Sequence, residues 1–145
     1  MSEYLESLIF DRTQEDIDLL TEKSYIDYND LNRVEKAIKW ISYILNRYGY
    51  KNKISFKVWL PEDLRTEEDM ERIRNNIETL RTAYFAPEST PLTPEKITYL
   101  SIWQANAIEK ILFDIGSLVE SVYPGLRHLS FKLSQPVIGN REVNY

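Results

Sequence analysis

The 145-residue chain has no cysteine, one histidine, two methionines and four glycines, and each shortage closes off chemistry. Without cysteine there is no disulfide, no thiol nucleophile and no thiolate-held metal. A lone His128 leaves no route to the common zinc sites, and no glycine-rich elbow marks a serine it could activate. The glycines, Gly49, Gly116, Gly125 and Gly139, are too scattered for a phosphate loop or a dinucleotide fingerprint. Long hydrophobic runs are missing as well. Clusters such as Ile111-Leu112-Phe113 fall far short of a membrane span, so no membrane partner is expected. Residues 1–12 carry Glu3, Glu6 and Asp11 and no basic start, so no secretory signal is expected and synthesis in a cytoplasm is.

What is present suffices for one domain, since 43% hydrophobic and 12% aromatic residues can build a single core. Eighteen basic against 23 acidic residues give a net charge of −5, which argues against nucleic acid as a partner. Residues 124–145 carry Arg127, Lys132 and Arg141 against Glu142, a basic tail of +2 on a body of −7. Such a tail can dock on an acidic copy or partner, or simply stay solvated. The many carboxylates do not spell a calcium loop. Counted from Asp27, the sixth and twelfth places hold Asn32 and Ile38 rather than glycine and glutamate. No catalytic residue, metal or cofactor is therefore expected, and the chain reads as a non-enzyme.

The fold class expected is mainly α: an antiparallel three-helix bundle with an extra short helix and minor β strands in the linker and terminal extensions. Residues 1–12 read as an amino-terminal arm, 13–123 as the helical bundle and 124–145 as a strand-like extension. Thr13, with Asp16 three residues on, predicts the start of a short helix over about 14–23. Asn29 and Gly49 bracket a long helix with Leu31, Val34, Ile38, Ile41, Leu45 and Tyr48 on one stripe. Ile54, Phe56 and Val58 then alternate with Ser55 and Lys57, a strand pattern stopped by Pro61. Thr66 opens a third helix with Met70, Ile73, Ile77, Leu80 and Tyr84 inward. Residues 86–94 hold three prolines and read as a connection. Ser101 and Gln104 match a capping box for the last helix, whose stripe is Ala105, Ile108, Leu112, Ile115, Val119 and Val122. Leu129, Phe131 and Leu133 alternate as a final strand. The two strands can pair within the chain or add to a partner's sheet.

One pattern of Asn, any residue, branched apolar residue, Glu occurs three times: Asn32 to Glu35, Asn75 to Glu78 and Asn106 to Glu109. Asparagine and glutamate three apart share a helical face, so each pair can bond internally or clamp the backbone of a neighbouring helix or loop. Chance among helices rich in both residues is the competing explanation. The apolar ends, Leu8, Ile9 and Phe10 at one and Leu129, Phe131 and Leu133 at the other, are the expected partner contacts. Trp40, Tyr43 and Trp103 read first as core; Trp40 and Tyr43 exposed together would instead mark a partner patch.

Three blocks of residues carry a family likeness. They are Phe10-Asp11-Arg12-Thr13 with Asp16, Tyr28-Asn29-Asp30-Leu31-Asn32-Arg33-Val34-Glu35, and Leu100-Ser101-Ile102-Trp103-Gln104-Ala105-Asn106-Ala107-Ile108-Glu109-Lys110-Ile111-Leu112. A weaker block runs from Trp59 to Asp63, then Met70-Glu71-Arg72 and Leu80-Arg81. On these residues, spanning about 8–115, the chain resembles a helical module of tail and baseplate structural proteins from tailed phages and prophages of Gram-positive bacteria. Trp103 stands where that family tends to have tyrosine. The resemblance implies a structural virion component, at the baseplate or tail tip or attaching a fibre, assembled in the bacterial host cytoplasm. Its partners would be other virion and tail proteins, or further copies of the chain. The alternative is a small acidic phage-encoded adaptor or host-defence antagonist that occludes a protein partner.

Overall fold

The computed structural model describes residues 2–122. The expected strand with Leu129, Phe131 and Leu133, and the whole extension from 124 to 145, lie outside the described residues. The protein is mainly helical: α1 (Glu3–Glu6), α2 (Gln14–Asp18), a single 3-10 turn (Glu22–Ser24), α3 (Tyr28–Arg47), α4 (Glu67–Ala83) and α5 (Ile102–Val122). Among the described residues no helix is long and apolar enough to cross a membrane.

Local chemistry sets the helix ends. Thr13 accepts from the Asp16 amide while the Asp16 carboxylate accepts from the Thr13 amide, the reciprocal box its spacing predicts. α2 nevertheless stops at Asp18 instead of reaching 23. It buries no residue, so nothing offsets the entropy of ordering a second turn. Leu20 turns the chain at a positive φ of 56°, with its side chain exposed. α3 begins two residues earlier than Asn29 suggests. Asp27 caps it by accepting from the amides of Asn29 and Asp30, and the Asp30 carboxylate returns to the Asp27 amide at 3.0 Å. At the far end Gly49 takes φ 93°, and the Gly49 and Tyr50 amides donate back to the carbonyls of Asn46 and Leu45. That double closure adds donors to carbonyls of the last turn, where the helical pattern runs out. Thr66 caps α4 by accepting from the Asp69 amide.

α3 packs against both α4 and α5, and α1 lies on α3 and α5. The core joins Leu31, Val34, Ile38, Ile41 and Leu45 of α3 to Ile73, Ile77 and Leu80 of α4 and to Ala105, Ile108, Leu112, Ile115 and Val119 of α5. Three stripe members fall outside it. Tyr48 and Val122 are exposed at helix ends, and Tyr84 is half-buried at the end of α4. Leu5 enters the core over Gly116, where a Cβ would meet the Leu5 methyls at 2.7 Å, so a larger residue there would have to displace the Leu5 side chain. Burying Leu5 contributes about 1.5–3 kcal/mol. Glu120 ties the same junction, accepting from the Ser2 amide at 2.9 Å and from Trp40 Nε1 at 2.7 Å.

Residues 54–58 form no strand ladder, and no strand occurs among the described residues. The proline-rich connection is held by α4 instead: Arg74 donates to the Pro94 carbonyl and Arg81 to that of Pro91, both at 2.7 Å.

Candidate interaction site

Two of the three repeated motifs converge on the same construction. On α5, Asn106 receives the Arg12 amide at 3.2 Å and donates to the Arg12 carbonyl at 3.0 Å. On α3, Asn32 receives the Trp59 amide at 2.7 Å and donates to the Trp59 carbonyl at 3.0 Å. A primary amide carries a donor and an acceptor side by side, so it closes the same two-bond ring that a neighbouring strand would.

The glutamate one turn on completes each clamp. Glu109 accepts from the Ile9 amide at 2.8 Å, from Arg12 Nη2 at 2.9 Å, and from Arg33 Nε and Nη2, both at 2.8 Å. Glu35 accepts from Trp59 Nε1 at 2.9 Å, from Arg72 Nη1 and Nη2 at 3.0 and 2.6 Å, and from the Lys57 amide at 3.4 Å. Both carboxylates are almost wholly buried, and so is Arg12. Arg12 spends its remaining donors on the carbonyls of Ile9 and Lys23, on Asn106 and on Asp30. Burial disfavours the charge on Arg33. The bonds and fields of Glu109 and then Asp30 outweigh it and hold the guanidinium well above its ordinary range. For Arg72 the Glu35 bond is the largest influence and pushes the same way.

The third motif is displaced by one residue. Asn75 is exposed and Glu78 half-exposed, and neither clamps anything. Asn76 does: it receives the Ser55 amide at 3.1 Å and donates to the Ser55 carbonyl at 2.6 Å. The phase of the buried stripe carries that signal, because Asn76 lies three residues after Ile73 and four before Leu80, on the inward face. Arg12, Arg33, Trp59 and Arg72 join the clamps with no local sequence signal. Their partners lie 24 to 97 residues away, beyond any helical period.

The expected partner contacts are redistributed accordingly. Leu8 is buried, the Phe10 ring lies tilted at 4.9 Å from Phe113, and Ile9 and Arg12 bond to α5, so the arm is bound to its own chain. Trp40 is fully buried between Tyr4 and Tyr43, with Tyr43 only half-exposed, which favours core over partner patch. Trp103 departs from its expected place in the core: it is 57% exposed. It borders an open groove of about 530 Å³ together with Ile17, Leu20, Tyr25, Leu100 and Arg65.

Tyr99 closes the floor of that groove at a positive φ of 54°. Its hydroxyl is buried and has no hydrogen-bond partner among the described residues. Burial first, then the field of Glu109, pushes the phenol far above its ordinary value near 10. A raised folded-state value contributes stability below the unfolded pKa and loses it as pH rises beyond. Alkaline difference spectroscopy should therefore find Tyr99 silent until the chain unfolds, at a pH above about 10. Ionisation of every tyrosine in the folded protein would contradict this placement.

Among the described residues no group of three or more histidine, cysteine or acidic side chains is placed to hold a metal ion. Comparison with known proteins finds no family model, no curated protein and no solved structure that matches the chain.

Proposed function

We propose that the chain is a non-enzymatic structural component of a phage tail or phage-tail-like particle, at the baseplate, the tail tip or a fibre attachment. In this reading α3, α4 and α5 form an antiparallel three-helix bundle. It acts through protein contacts with other virion proteins or further copies of itself. The carrying observation is the exposed apolar cluster of Leu20, Tyr25, Leu100 and Trp103 around one groove, which a free monomer would leave in water. The groove is lined mostly by apolar side chains, so this end offers contact area more than it offers chemistry.

The family likeness supports the same reading from another side. The polar residues that carry it, Arg12, Asn32, Arg33, Glu35, Arg72, Asn106 and Glu109, form the clamp network, Arg33 joining α3 to α5 and the others helping to hold the non-helical segments on the helices. They are demanded by a particular tertiary arrangement and not by helix formation alone.

Quantitative mass spectrometry of purified particles tests the proposal. The expected result is a fixed copy number relative to the major tail protein. Abundance in infected cells with absence from particles would overturn it and favour the acidic adaptor.

A further inference from the structure

From Ser55 to Trp59 the backbone hydrogen bonds recur at every second residue and all go to side chains of α3 and α4. The backbone groups of Ser55 are bonded by Asn76, the Lys57 amide by Glu35, and those of Trp59 by Asn32. Bonding at every second residue is the mark of extended chain, whose backbone groups alternate between its two sides. Phe56 and Val58 lie between these anchors. Their amides and carbonyls have no partner among the described residues, and by the same alternation they point away from the helices. An edge already straightened and fixed by side chains, with its outer donors and acceptors vacant, needs little further ordering to accept a strand.

The side chains state what kind of strand fits. Phe56, Val58 and Leu60 form an exposed apolar row on one face of the segment, with Val58 68% exposed. Lys51, Lys53 and Lys57 make the segment and its approach locally basic in a chain of net charge −5, with Lys57 already paired to Asp69 at 3.2 Å. Lys51 and Lys53 are exposed without an ionic partner among the described residues, and Lys39 adds its charge over the Phe56 ring at 4.2 Å. These lysines would repel the Lys132 segment of the chain's own tail.

We infer that residues 54–60 are a docking edge for an extended segment of another protein in which apolar residues alternate with acidic ones. The apolar side chains of that segment would cover Phe56 and Val58, its carboxylates would face the unpaired Lys51 and Lys53, and its backbone would pair with Phe56 and Val58. Asp63 ends the edge by accepting the Leu60 amide at 2.8 Å, just before Pro61 turns the chain away. The inference rests on reading the chain as a protein-binding module, and names the partner's chemistry at one surface.

The test uses the full chain and a short synthetic peptide alternating glutamate with valine, titrated while backbone amide resonances are followed. The largest shifts are expected at Phe56 and Val58. Val58→Pro removes an outward donor that bonds nothing, at a position where an edge tolerates proline, so thermal stability should hold. Binding should fall by about tenfold or more, as expected from lost backbone bonds. Lys51→Glu with Lys53→Glu should weaken the same peptide and favour a lysine–valine counterpart. No binding to the wild-type chain, or equal binding to the folded Val58→Pro variant, would overturn the inference. Absence from particles would sink the virion reading without touching this titration, so the two failures are distinguishable.

Discussion

Glu109→Ala is expected to destabilise the chain by about 3–5 kcal/mol in urea denaturation, the cost of stranding buried charge. Glu109 is the shared acceptor for Arg12 and Arg33, and it also receives the Ile9 amide. Removing it leaves two guanidinium groups facing each other, one of them in a site almost closed to water. Asp30 remains, but at 3.4 Å from Arg12 it is the weaker partner. The cost is a measure of stranded cations, not of the net value of the ion pairs: replacing the whole cluster by apolar residues could be close to neutral. Glu109→Gln should fall between wild type and alanine, because it retains one acceptor while losing the charge. A loss below about 1 kcal/mol for alanine would mean that water reaches the cluster and that it is not a buried network.

Asn106→Ala should cost about 2–4 kcal/mol, since it leaves the amide and carbonyl of Arg12 without partners in a half-buried setting. The same change at Asn75, which is exposed and clamps nothing, should stay within about 0.5 kcal/mol. Comparing the two separates a clamp from generic helix chemistry, because both remove an asparagine from a helix and gain alanine's propensity. Equal effects at both positions would dismiss the clamp.

Local signals were legible in the sequence and long-range ones were not. Thr13 and Thr66 start helices because a cap and its amide lie within three residues of each other. Asp27 took the role expected of Asn29 because the Asp30 carboxylate stands three residues after Asp27 and can return its bond. The alternation at 54–58 predicted a strand, and none forms there. It could not reveal that the hydrogen-bond partners would be Asn32, Glu35 and Asn76 on helices instead of a second strand. Leu8, Ile9 and Phe10 looked free for the same reason: Glu109, which receives the Ile9 amide, stands 100 residues away. Trp103 follows Ile102 on α5, and a single-residue step of about 100° turns it from the buried side to the groove.

The motif itself occupies the boundary between these cases. Its three occurrences were visible, and two of them clamp the backbone of a non-helical segment. In the middle one only the inward phase of Asn76 distinguishes it from its neighbour Asn75. Pattern matching alone treats the two asparagines alike, whereas the burial stripe assigns one to the interior and the other to water.

Residue-resolved amide hydrogen exchange across 54–60 addresses most directly the claim that helix side chains stand in for a neighbouring strand. The Ser55, Lys57 and Trp59 amides should exchange slowly, each bonded to a helix side chain, and the Phe56 and Val58 amides between them should exchange fast. Uniformly slow exchange through the segment, or uniformly fast exchange, would contradict it.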